Sequence, residues 1–201
     1  MEPQQFKATW LDINLGGWLE IPTEDLNALP FLYSTKEWLK GGFPDEGAPF
    51  LSFGSGGQCM EIKSICACYP DAQIAEEARN CWVLGSDGSG NPICIDSKKK
   101  DRVVLLDHEL GFSISEVMNA SVGELAVSML RYQEFVLLVQ EELGQDAFLE
   151  SLYTRQQIDK LSSALQMIRL DFFDQSDFWA SELLYLNSEF ESKNDNGEGL
   201  N

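Results

Sequence analysis

The sequence predicts an α+β domain: a central, mostly antiparallel sheet flanked by helices, with a helical C-terminal extension. Three observations carry this. Residues 82–109, WVLGSDGSGNPICIDSKKKDRVVLLDHE, read as two strands around a tight turn, a basic turn and a third strand. From residue 119 onward, apolar residues recur at helical spacing. Short helices precede the strands, so the order runs helices, strands, helices, without the alternation of a parallel βαβ fold. No repeat, linker or low-complexity tract divides the chain, so residues 1–191 are expected to form one domain and the polar tail 192–201 to fray.

The elements follow in order. Residues 1–20 place Phe6, Trp10, Leu11, Ile13, Leu15, Trp18 and Leu19 in a pattern that fits either strand or helix, interrupted by Gly16 and Gly17. In IPTEDLNALP, Thr23 is a candidate N-cap with Glu24 and Asp25 in the first turn, and Pro30 ends the element. STKEWLKGGFP (34–44) predicts a short helix capped by Ser34 or Thr35 and stopped by Gly41 and Gly42. FLSF (50–53) reads as a strand, GSGG (54–57) as a loop and CMEIKSICACY (59–69) as a second strand region with imperfect alternation. DAQIAEEARN (71–80) fits a helical turn or a loop. CWVLG and ICID flank SDGSGNP, a strong hairpin signal. SKKKD then turns the chain into RVVLLDHE. In the helical half, Val122, Leu125, Met129, Tyr132, Val136 and Val139 share a face, behind a Ser121/Glu124 capping box and before Gly144. A second helix is expected over 146–169, and a third over 176–190 with Ser176 or Asp177 as cap.

Composition narrows the function. A formal net charge of −19, from 14 basic and 33 acidic residues, opposes binding to nucleic acid and to anionic membranes. It favours a basic protein partner, whose encounter it would steer; the alternative is that the acids serve only solubility. No apolar run approaches membrane-helix length and no secretory pattern is visible, so a cytoplasmic protein is expected. Cys59, Cys66, Cys68, Cys81 and Cys94 are odd in number and lack zinc spacing, so they read as small buried hydrophobes.

Four segments carry a family resemblance. They are KEWLKGGFPDEGAPFLSF (36–53), VLGSDGSGNPICID (83–96), NASVGELAVSMLRY (119–132) and MIRLDFFDQSDFWASEL (167–183). In order and spacing they resemble the SUKH superfamily of bacterial immunity proteins and fungal cell-wall regulators, and most of all its fourth immunity-protein family. Phe43 and Leu125 depart from the leucine and phenylalanine of that pattern. The resemblance spans residues 29–186. It implies a SUKH-like α+β fold and a protein that binds and neutralises a toxin domain, often a nuclease or deaminase. It brings no catalytic set.

The other motifs are weighed on their chemistry. Asp87, Ser89 and Asn91 alternate as in a calcium loop, but the bidentate acid such a loop needs is misplaced, and a turn with positive φ at Gly88 and Gly90 explains them. His108, between Asp107 and Glu109, lacks an evident nucleophile. No catalytic, cofactor or metal residue is therefore assigned. Lys98, Lys99, Lys100 and Arg102 read as a solvated turn with acidic neighbours. The partner-binding candidates are acids: Asp45 and Glu46; Asp71, Glu76 and Glu77; and Asp171, Asp174 and Asp177 beside Trp179. In the last group, acids among aromatics fit an interface; the alternative is a helix with aromatics in the core and acids on its wet face. Three functions stay open: an immunity protein against a basic toxin, a regulatory scaffold of the same fold, or an enzyme built around His108.

Overall fold

The computed structural model describes residues 1–13, 16–54 and 60–195. The ambiguous N-terminus resolves into helix α1 (Pro3–Ile13) and a two-residue strand β1 (Trp18–Leu19). Phe6 and Trp10, four apart, put both rings on the buried face of α1. Strand β1 pairs with β2 (Phe43–Pro44). Between them lie α2 (Thr23–Ala28) and α3 (Tyr33–Lys40).

The expected side-chain caps of these two helices are absent. Pro22 and Leu32 occupy the N-cap positions, and neither helix start is bonded by its own side chain. Asp101 serves α3 from a distant turn, its Oδ2 accepting the Leu32 N–H at 2.6 Å. The C-terminal stop of α3 follows the sequence reading. Gly42 adopts φ +85° there, and Trp18 Nε1 donates to the Gly41 carbonyl at 3.0 Å.

Among the described residues the main sheet has seven antiparallel strands. They are β3 (Glu46–Gly47), β4 (Leu51–Phe53), β5 (Lys63–Ser64), β6 (Cys81–Ser86), β7 (Pro92–Asp96), β8 (Arg102–Asp107) and β9 (Ser113–Asn119). The spatial order is β3-β4-β6-β7-β8-β9, with β5 also on β6. In the β6–β7 turn, Asp87 Oδ1 accepts the Ser89 and Asn91 amides at 2.9 and 2.8 Å. Only Gly90 takes the positive φ expected of both glycines. In the β7–β8 turn, Lys100 and Asp101 both sit at φ +59°. Two left-handed residues in succession match the strand twist of a tight hairpin.

Two strand expectations change. The run expected over 59–69 is a strand only at Lys63–Ser64. Ser64 Oγ then accepts the Ala67 amide and starts α4 (Ile65–Cys68); a hydroxyl at the N-cap competes locally with ladder pairing. Ser55, Gly56 and Gly57 of the expected loop, and Cys59, lie outside the described residues. Strand β9 is not evident in the sequence, because bulges against β8 at Ser115 and Met118 break its alternation.

Helix α5 (Val122–Leu143) starts as expected, with Ser121 Oγ accepting the Glu124 amide. The Glu124 carboxylate accepts from Ala120 N rather than closing the box on Ser121. The second helix is shorter than expected. Residues 146–151 form turns, and α6 (Arg155–Gln166) begins at a full capping box between Thr154 and Gln157. Helix α7 (Asp177–Asp195) continues past residue 192, so the tail starts later than predicted. Ser176 does act at its start. Its hydroxyl accepts the Trp179 amide and donates to the Met118 carbonyl, tying α7 to β9.

Hydrophobic clusters lie on both faces of the sheet. Ile93, Ile95, Val103 and Leu105 join the large core under α1 and α5–α7. Cys94, Val104 and Leu106, alternating with them, join a smaller cluster with Ile65, Ile74, Ala78 and Phe112. That cluster is covered by α4 and a 3-10 turn at Glu76–Ala78.

Candidate functional site

The chemistry-bearing motifs are engaged structurally. Both Asp87 oxygens are used inside the hairpin, Oδ2 accepting Asn91 Nδ2 at 3.0 Å. His108 is exposed; its Nδ1 lies 2.8 Å from Asn91 Oδ1, which also accepts the His108 amide. Burial pushes the Cys81 thiol up to about 12 and the Cys94 thiol well above its ordinary value, so both stay protonated and weakly nucleophilic. Cys66 and Cys68 are exposed, contrary to the expectation of buried thiols. Among the described residues no group of three or more His, Cys, Asp or Glu could hold a metal.

The nine partner-binding candidates fall in three places. Asp45 is half-buried, and its carboxylate fills the space beside Gly17 that any Cβ would need. Its Oδ1 has no hydrogen-bond partner among the described residues. Glu46 is exposed on β3, the short edge strand. Asp71, Glu76 and Glu77 are exposed on the cover of the small cluster, where Arg79 pairs with Glu76 at 2.9 Å.

The third group needs correction. Trp179 is 0% exposed, and its Nε1 donates to Asn119 Oδ1 at 2.9 Å. Phe172 and Phe178 are also buried. The aromatics of this segment are therefore core, and Trp179 cannot meet a partner: the apolar stripe of an amphipathic helix is buried wherever a core lies against it. Of the acids, Asp171 is held by Arg169, whose Nε donates to it at 2.5 Å and keeps its carboxyl below the usual range. Asp177 Oδ2 accepts the Val117 amide at 3.3 Å. Asp174 and Asp177 line the same groove as Lys99, Lys100 and Arg102. The basic turn thus faces this acidic group across β9.

A second carboxylate pair lies under α7. Burial raises the Glu182 carboxyl to about 7, while Tyr132 Oη donates to it at 3.3 Å. Glu116 on β9, accepting from Ser181, is raised as well, chiefly by burial.

The remaining feature was not read from the sequence. A groove of about 510 Å³ opens between the β3–β4 hairpin and α5. Leu51, Val136 and Phe148 give it apolar walls. Phe50 and Leu149 also line it, 65% and 68% exposed. Phe50 holds φ +56°, a left-handed conformation that a bulky residue rarely takes. Its only sequence signal is weak: Gln133, Val136 and Gln140 at helical spacing make a mostly polar face where a core face would be apolar.

No helix among the described residues is long and apolar enough to cross a membrane. No protein-family model, curated protein or solved structure matches the chain.

Proposed function

We propose that this chain is a non-enzymatic immunity protein that binds and neutralises a cognate toxin domain, basic and of the nuclease or deaminase type, in the cytoplasm of the producing cell. One observation carries the reading. The 33 acids outnumber the 14 bases by 19, an excess that pairing within the chain leaves unchanged. Each of the five arginines, at positions 79, 102, 131, 155 and 169, faces a carboxylate of this same chain. Bidentate guanidinium groups are the usual means of gripping phosphate, so this arrangement favours a protein partner over a nucleic acid. Glu46, Asp71 and Glu77 are exposed acids able to steer a basic surface. The resemblance of four segments to the SUKH immunity proteins supports the class, and a sheet flanked by helices is consistent with it.

The test is co-expression with a toxin-like domain encoded beside this chain. We expect rescue of growth, and a co-purifying complex whose association slows as salt rises. Failure both to rescue and to co-purify at low salt would overturn the proposal in favour of a regulatory scaffold.

A further inference from the structure

The groove between the β3–β4 hairpin and α5 has features that the fold does not explain. Phe50 is a bulky residue held at φ +56° with its ring in solvent. Such a conformation is strained and persists where the surroundings impose it, often at ligand clamps. Burial of the ring does not compensate here. Glycine, which takes this φ without strain, would serve the turn better. The aromatic ring is thus displayed at a cost to folding. Leu149, in the turns between α5 and α6, is equally exposed on the same groove. Two large exposed apolar residues on one apolar-walled concavity differ from apolar residues scattered singly over a surface.

Charge selects the occupant. Among the described residues, Glu46 is the sole charged one lining the groove. Asp146 and Glu150, both exposed, flank Leu149 in sequence. The amides of Gln133 and Gln140 add neutral donors and acceptors along α5. A volume of about 510 Å³ holds a few side chains. With a chain charge of −19, a second copy would meet strong repulsion here.

We infer that this groove seats an apolar anchor of a basic protein partner, a Leu or aromatic side chain carried on a segment with Lys or Arg beside it. Phe50 and Leu149 clasp the anchor, and Glu46 meets the flanking base. The inference rests on the proposed reading of a basic toxin partner and locates where that partner is gripped.

Two variants test it without endangering the fold. Phe50→Gly removes the ring and relieves the left-handed strain, so its thermal stability should equal or exceed that of the parent. Leu149→Ser removes the opposite rim at an exposed position. The probe is a synthetic peptide with a Leu-x-x-Phe core flanked by lysines, against a second peptide with glutamates in their place. Amide chemical shifts are followed to millimolar peptide. The lysine peptide should shift resonances of Phe50, Gln133, Gln140 and Leu149, more weakly at high salt, and each variant should bind it about tenfold or more weakly. The glutamate peptide should shift none of them. Shifts elsewhere, no shifts, or equal binding by the variants would overturn the inference. So would a dimer, seen by light scattering, that Phe50→Gly dissociates, since a second copy would then own the groove. Toxin rescue that survives Phe50→Gly unchanged would overturn the groove while leaving the immunity reading intact. Peptide binding in the groove without any toxin rescue would do the reverse.

Discussion

One face of the central sheet lies under α5, a helix of 22 residues whose buried side chains recur from Val122 to Val139. The opposite face is covered by the four residues of α4 and the three of the 3-10 turn. Both faces are apolar, because β7 and β8 carry uninterrupted apolar runs. A run with no polar alternation is the mark of a strand buried on both sides. The faces differ in how cover is supplied. A long amphipathic helix brings its own hydrogen bonds and a continuous stripe. Short turns bring few apolar contacts, so the segment they cover opens more readily. Local opening should therefore begin on the small face, while global stability resides under α5 and α7.

The largest effect should come from the large core. Trp179→Ala removes a fully buried ring and leaves Asn119 Oδ1 without its donor. It should cost about 3–5 kcal/mol in denaturant unfolding; a loss below about 2 kcal/mol would break the comparison. Ile74→Ala, on the small face, should cost about 2 kcal/mol. It should also speed thiol labelling of the buried Cys81 and Cys94 much more than Trp179→Ala does under native conditions. Equal acceleration by both variants would show that the two faces open together.

A smaller, pH-dependent effect belongs to α7. Tyr132 of α5, Glu116 of β9, and Tyr153 and Tyr185 all face the Glu182 neighbourhood. The Glu182 carboxyl rises to about 7 from its ordinary 4.5. The folded chain therefore holds a proton that the unfolded chain has lost between those values. Stability from this group is full below about pH 4.5 and is lost as the pH rises through 7. Glu116 is shifted in the same direction. Glu182→Gln should raise stability by about 1–2 kcal/mol at pH 8 and leave it unchanged at pH 4. An equal gain at both pH values would assign the effect to packing. Last, Cys66 and Cys68 should be modified by a thiol reagent in the native state of a Cys59→Ser variant, with Cys81 and Cys94 reacting only on opening. Immediate reaction of all four would show that the cover is not in place.

Where the sequence reading held, the signal was local. The β6–β7 hairpin was legible because Asp87, Gly90 and Asn91 form the turn through bonds within five residues. Ser121 and Gly144 bounded α5 for the same reason. Where it failed, the partner was distant in sequence. Thr23 and Ser34 looked like caps, but α3 is capped by Asp101, 69 residues beyond Leu32. Trp179 looked like an interface aromatic; only the arrival of Asn119 and Tyr132 makes it core. The acids of the candidate surface were visible as charge, and their dispersal to three places was not. The groove was illegible because Phe50, Val136 and Leu149 meet only in the folded chain.

By itself the sequence determined the fold class, the hairpin, the long helix and the sign of the surface charge. These depend on turn chemistry, on the period of apolar residues and on composition, all of which act over a few residues or over the chain as a whole. Tertiary structure alone decided which face of the sheet receives the long helix and which acids share a groove with the basic turn. It also decided that Phe50 stands exposed beside Leu149. Each of those outcomes depends on which distant residues come into contact, and so on the packing of elements whose boundaries local chemistry had already set.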